Sequence, residues 1–85
     1  MELIRTPSFG KGFIDLPHAI QRLCERQLVL LAHDRNDPRL HLKPLKGKTG
    51  VYSFRITRQY RGLFYINEQK QIIVFAIGHR KDVYR

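Results

Sequence analysis

Residues 72–77 read IIVFAI, six consecutive apolar positions with no polar residue on either side of the pleat. A strand that alternates between core and solvent keeps one polar face, so a run that is apolar at both parities predicts a central strand covered on both sides. Two other runs can pair with it. Residues 51–57 alternate, with Tyr52, Phe54 and Ile56 on one side and Val51, Ser53, Arg55 and Thr57 on the other. Residues 60–66 are mostly aromatic or β-branched, and Asn67-Glu68-Gln69-Lys70 after them predicts a hairpin turn.

The first half of the chain has a different period. Residues 1–6 are short, mixed and β-permissive, a first strand that Pro7 stops, with Ser8 as the expected cap of a short helix over 9–14. A second helix is expected from Pro17 to about His33, because Ile20, Leu23, Cys24, Gln27, Leu28, Leu30 and Leu31 fall near one face. Residues 34–50, with Asp37-Pro38, Lys43-Pro44, Gly47 and Gly50, read as a connection poor in regular structure. Helices early and strands late imply an α+β fold, two N-terminal helices packed on a mostly antiparallel twisted sheet of about four strands.

Charge divides the chain as sharply. Lys and Arg number 16 against 7 Asp and Glu, a net charge of +9 with a pI near 10.3. Residues 1–42 carry only +1, whereas residues 43–85 carry +8, with ten cations against Glu68 and Asp82 alone. So one-sided a field points to a polyanion or an acidic protein as partner rather than to solubility alone. The 85 residues suit one domain, 1–85. A chain of that length buries about 60–65% of its unfolded surface, a thin core that leans on a partner. Cys24 has no second cysteine to pair with, the opening MELIRTPSF has no apolar leader, and no stretch approaches the roughly 20 apolar residues of a membrane span. These features suggest a cytoplasmic protein without a membrane partner. His18, His33, His41 and His79 lie far apart and Cys24 sits on an apolar helix face, so no metal or cofactor is expected.

Three segments of the second half, in this order and spacing, carry a resemblance. They are Leu45-Lys46-Gly47-Lys48 leading into Tyr52-Ser53-Phe54-Arg55-Ile56, then Tyr60-Arg61-Gly62-Leu63-Phe64-Tyr65, then Ile77-Gly78-His79-Arg80-Lys81-Asp82-Val83-Tyr84-Arg85. Together they resemble the RelE/ParE toxin superfamily. The resemblance implies a compact, microbial-ribonuclease-like sheet and the toxin role in a type II toxin–antitoxin system. RelE-type members are ribosome-dependent endoribonucleases that cut messenger RNA in the decoding site. ParE-type members keep the fold, inhibit DNA gyrase and cut no RNA. Both are neutralised by a co-encoded antitoxin, which here would be small and acidic and would form a hetero-oligomer with the toxin. A degenerate, inactive member is the third reading the motifs leave open.

Metal-independent RNA cleavage needs the 2′-hydroxyl held in line with the phosphate, a base, an acid, and stabilisation of charge on the non-bridging oxygens. Arg61 and Arg80 resemble the family's strand and closing arginines, and planar guanidinium groups suit phosphate oxygens. A salt bridge to Glu68 or Asp82 is the structural alternative for Arg61. Arg55 falls where the family pattern carries basic residues. Ser53 is a departure, because RelE has a lysine there, and it removes the lysine expected to act as base. Lys46 and Lys48 stand nearby as compensating charge or as docking lysines. An imidazole gives and takes protons near neutrality, which makes His79 a candidate alongside a structural role at the strand end. Tyr84 matches the closing tyrosine, which can stack on a nucleotide, move a proton or pack the C-terminus. Lys46, Lys48, Ser53, Lys81 and Arg85 are the expected RNA contacts. The aromatic residues between these cations, Tyr52, Tyr60, Phe64, Tyr65 and Phe75, suit core packing or base stacking. A second departure is that many members continue past this point into a C-terminal helix.

Overall fold

Thr6 decides where the first helix starts. The computed structural model describes residues 1–84, and in it Thr6 has an extended backbone and its hydroxyl accepts the Phe9 N–H at 3.2 Å. The cap is therefore Thr6 and not Ser8, and the helix begins two residues before Phe9. Pro7 does not merely stop the strand β1 (Leu3–Arg5); it is the first residue of the helix α1 (Pro7–Ile14), where its missing N–H costs nothing. The helix α2 (His18–His33) follows at once. Gln21 reaches back from its first turn and donates to the Phe13 carbonyl at 2.9 Å, which satisfies an end group of α1.

The connection after α2 contains more order than its composition suggests. Asp37 caps a single 3-10 turn (Pro38–Leu40), and β2 (Lys43–Pro44) pairs antiparallel with β3 (Val51–Arg55). Then come β4 (Tyr60–Ile66), β5 (Ile72–His79) and one helical turn, α3 (Arg80–Val83). The sheet runs β1-β5-β4-β3-β2, with β1 parallel to β5 and every other pair antiparallel. The α+β architecture is thus as expected, with a fifth strand and a short third helix added. Two residues are too few to show a period, and Pro44 reads as a breaker; it is tolerated because β2 is an edge. Among the described residues, no helix is long and apolar enough to cross a membrane.

Helices α1 and α2 cover one face of the sheet. Phe54, Ile56, Phe64, Ile72 and Val74 from the strands meet Phe9, Cys24, Leu28 and Leu31 from the helices and Leu40 from the 3-10 turn. Ile72, Ile73 and Val74 are all buried, as the two-sided apolar run predicts, whereas Phe75, Ala76 and Ile77 are half-buried, so cover on both sides holds only for the first half of the run. Two features adjust the packing. Gly62 lies opposite Phe54, and a Cβ there would overlap the Phe54 ring, so the absent side chain is what lets the ring lie flat across β4. In β5, Leu63 pairs with Ala76 and Phe64 with Val74, so Phe75 is an extra residue. This β-bulge resets the alternation: Ile72 and Val74 face the helices before it, and Ile77 after it. The close approach of α1 also requires Gly12, whose Cβ would stand 2.9 Å from the Ile77 carbonyl oxygen.

Two measurements check this packing. Gly62→Ala is expected to destabilise the protein by about 2 kcal/mol, since the ring must leave its site, and a lower midpoint in urea would register it. Burial pushes the Cys24 thiol up to about 12. Cys24 is therefore expected to resist iodoacetamide at pH 8 in the folded protein and to react once the chain is unfolded.

Candidate functional site

On the face of the sheet away from the helices, Arg55 in β3 and Arg61 in β4 are direct cross-strand partners. Like charges in such a pair repel at close range and destabilise the sheet. Among the described residues nothing acidic relieves them: the ion pairs are Arg5–Glu25 and Arg39–Asp37, both elsewhere. The salt bridge from Arg61 to Glu68 or Asp82 that its position allowed is not formed.

Neutral acceptors hold Arg61 instead. Its Nε donates to Ser53 Oγ at 3.1 Å and its Nη2 to the His41 carbonyl at 2.7 Å. The residue is only 6% exposed. Burial, and the neighbouring Arg55, pull the guanidinium below its ordinary value while the Tyr84 oxygen acts in the opposite sense. An arginine starts so high that it keeps its charge regardless. The Tyr84 hydroxyl lies 3.4 Å from the same Ser53 Oγ, so Ser53 sits between the guanidinium and the phenol. Arg55 is half-buried, and its Nε is a buried donor without a partner.

Around this pair opens a cleft of about 560 Å³ lined by Lys43, Arg55, Arg58, Arg61, Arg80 and Tyr84. Five of the six are cations. Lys43 is there because β2 sets it across from Ser53, and Arg58 because the β3–β4 turn carries it over the end of the pair. Neither stands out in the sequence: Lys43 belongs to a segment without period, and Arg58 to the turn between two strands. The one available signal was the charge of residues 43–85 as a whole. Across the molecule, a hollow of about 450 Å³ lined by Arg35, Leu42, Tyr52, Phe64 and others has no comparable set of charges.

The other candidate residues spread out. Lys46 lines a shallower hollow next to the cleft together with Lys43, Ser53 and Tyr84. Lys48 and Lys81 are exposed and do not line the cleft, and Arg85 lies outside the described residues. His79 is not brought to the cleft. It pairs with Tyr60, a residue of the helix-side core, and its ring meets the Tyr60 ring edge-on at 5.7 Å. Its Nδ1 accepts the Lys81 N–H at 3.2 Å and so caps α3. Of the aromatic residues between the cations, Phe64 is buried in the helix-side core with Tyr60 packed against it, Tyr52 stacks on Phe64 at 5.8 Å, and Tyr65 and Phe75 form a pair at 5.7 Å away from the cations. Among the described residues, no three His, Cys, Asp or Glu side chains gather as a metal site would require.

No protein-family model matches the chain, and no curated protein matches it. Solved structures do. The chain is similar to the RelB–RelE antitoxin–toxin complex from Methanococcus jannaschii, at 24% identity and a TM-score of 0.78 over 95% of this chain and 94% of that one. It is similar to YafQ from Escherichia coli strain BL21(DE3), at 11% identity and a TM-score of 0.78 over 99% and 98% of the two chains. It is also similar to the isolated RelE toxin of E. coli, at 21% identity and a TM-score of 0.70 over 98% and 89%. The fold is that of the RelE-like toxins.

Asp37, four residues before the His41 carbonyl that holds Arg61, bears a pH dependence. Hydrogen bonds from the Arg39 side chain and N–H hold its carboxyl down from 3.8 to about 2. A depressed carboxylate stabilises the fold above its unfolded pKa and loses that contribution as pH falls through the folded value. The 3-10 turn is therefore expected to be intact at pH 5 and to loosen between about pH 3.8 and 2. Faster amide exchange at Arg39 and Leu40 over that range, absent in Asp37→Asn, would register it.

Proposed function

We propose that this protein is the toxin of a toxin–antitoxin pair and that its cationic cleft binds and cleaves messenger RNA on the ribosome. The observation that carries the reading is the Arg55–Arg61 pair: two guanidinium groups on facing strand positions, one with a buried unpartnered Nε, beside three further cations and a tyrosine. A fold keeps so repulsive an arrangement where a polyanion completes it. A phosphodiester is an anion with two equivalent non-bridging oxygens, which suits converging planar donors.

In the reaction, the 2′-oxygen attacks phosphorus, the bond from phosphorus to the 5′-oxygen breaks, and a 2′,3′-cyclic phosphate and a 5′-hydroxyl result. Arg61 and Arg80 bind the non-bridging oxygens and stabilise the charge that grows there, with Arg55 and Arg58 adding to the field. The proton leaving the 2′-hydroxyl and the proton reaching the 5′-oxygen pass through cleft residues able to carry one, Tyr84 and Lys43. His79 acts through its cap on α3, the turn that joins Arg80 to Tyr84. Lys46, Lys48, Lys81 and Arg85 steer and hold the RNA backbone. The ribosome supplies what a shallow open cleft lacks, a mould that sets the RNA in line. This places the activity in the cytoplasm, with no cofactor and no membrane.

The partner is an acidic antitoxin that orders as it covers the basic half of the chain. The likeness to a structure described as an antitoxin–toxin complex supports it. Induction of the protein in cells is expected to arrest growth and to yield messenger RNA fragments whose 5′ ends fall in frame with translation. Arg61→Ala or Arg80→Ala is expected to lower cleavage about 100- to 1,000-fold without unfolding the chain. Intact messenger RNA together with inhibited gyrase in a supercoiling assay would instead support the ParE-type reading. Full growth without antitoxin would support the inactive one.

A further inference from the structure

Among the described residues, His41 and Lys70 are the non-glycine positions with a positive φ. Lys70 closes the turn between β4 and β5, where that conformation is ordinary. His41, at φ 46° and ψ 52°, ends the 3-10 turn as its left-handed C-cap, with its N–H donating to the Pro38 carbonyl at 3.2 Å. Its side chain is exposed, so packing of the imidazole does not explain the conformation. Its carbonyl does have a partner, the Arg61 Nη2 at 2.7 Å.

The segment that presents this carbonyl is clamped from several directions. Leu40, the residue before it, is completely buried in the core. The Gln27 side-chain amide of α2 donates to the Arg39 carbonyl at 3.1 Å and to the Arg55 carbonyl at 2.7 Å, which ties the turn to β3. Asp37 caps the turn from its other end. The left-handed conformation at His41 is thus imposed and maintained.

Its effect on Arg61 follows from guanidinium geometry. Nε–H and one Nη2–H lie along a single edge, and Ser53 and His41 occupy that edge. Nη1 and the remaining hydrogen of Nη2 form the other edge, which bonds neither Ser53 nor His41 and can meet two phosphate oxygens. Because both acceptors are neutral, they orient the group without cancelling its charge, as a carboxylate would.

We propose that His41 is a positioning residue whose left-handed backbone, and not its imidazole, aims the carbonyl that sets the Arg61 guanidinium for an RNA phosphate. This rests on the reading of the cleft as an RNA site. The test uses the full chain and a fluorescein-labelled RNA oligonucleotide at low salt, with anisotropy as the readout. His41→Gly and His41→Asn tolerate the conformation and are expected to bind as the natural chain does. His41→Val, β-branched and averse to it, is expected to bind about tenfold more weakly, the scale of a hydrogen bond to a charged group. His41→Ala falls between and carries the test if the valine variant does not fold. In an Arg61→Ala background these differences are expected to vanish. Valine binding as tightly as histidine, glycine binding as weakly as valine, or an unchanged valine effect without Arg61 would each overturn the proposal. If Arg61→Ala alone leaves binding intact, the RNA reading of the cleft fails, and His41 loses this role with it.

Discussion

One extra residue in β5 governs which side chains of the last part of the chain reach the core and which turn to the open face. Before Phe75, Ile72 and Val74 face the helices; after it, the parity changes, and Ile77 faces them. His79 goes with Ile77, across from Tyr60, while Gly78 falls across from Arg61 on the open face. Had β5 kept a strict two-residue period, the histidine would stand beside Arg61 and the Arg80 side of the chain would turn toward the helices. A bulge of this kind costs part of a ladder and gains a re-aimed strand end. The placing of Arg80 and Tyr84 after β5 follows from it, whereas Lys43, Arg55, Arg58 and Arg61 are set by β2, β3 and β4.

The cleft and the core make opposite demands. In the core, Phe54 lies against the bare backbone of Gly62, and the helices close over it with Phe9, Leu28 and Leu31. That apolar burial offsets the repulsion on the other face, where Arg55 and Arg61 stand opposite each other and Arg61 is held by two neutral acceptors. A stability-optimised sheet would place a carboxylate at one of these positions. Among the described residues neither position has one, a local rule broken at the candidate site.

Ser53 and the 34–50 connection together build the surroundings of Arg61. The Ser53 hydroxyl receives Arg61 and neighbours Tyr84. The adjacent strand adds a cation, Lys43 across from Ser53. The connection that looked structureless supplies that strand, the buried Leu40 and the carbonyl of His41.

By itself the sequence determined the class of fold, because helical and strand periods occupy different halves of the chain, and it determined the sign and location of the charge. The alternation of residues 51–57 also separated Phe54 from Arg55 correctly, since one face there is apolar and the other is not. Tertiary structure decided the rest. A run such as IIVFAI is apolar at both parities, so no pattern in it records where a bulge falls, and the sides taken by His79 and Arg80 followed from pairing with β4. Lys43, Arg58 and the backbone of His41 joined the site through contacts between segments distant in the chain, which periodicity, a property of neighbours in sequence, does not encode.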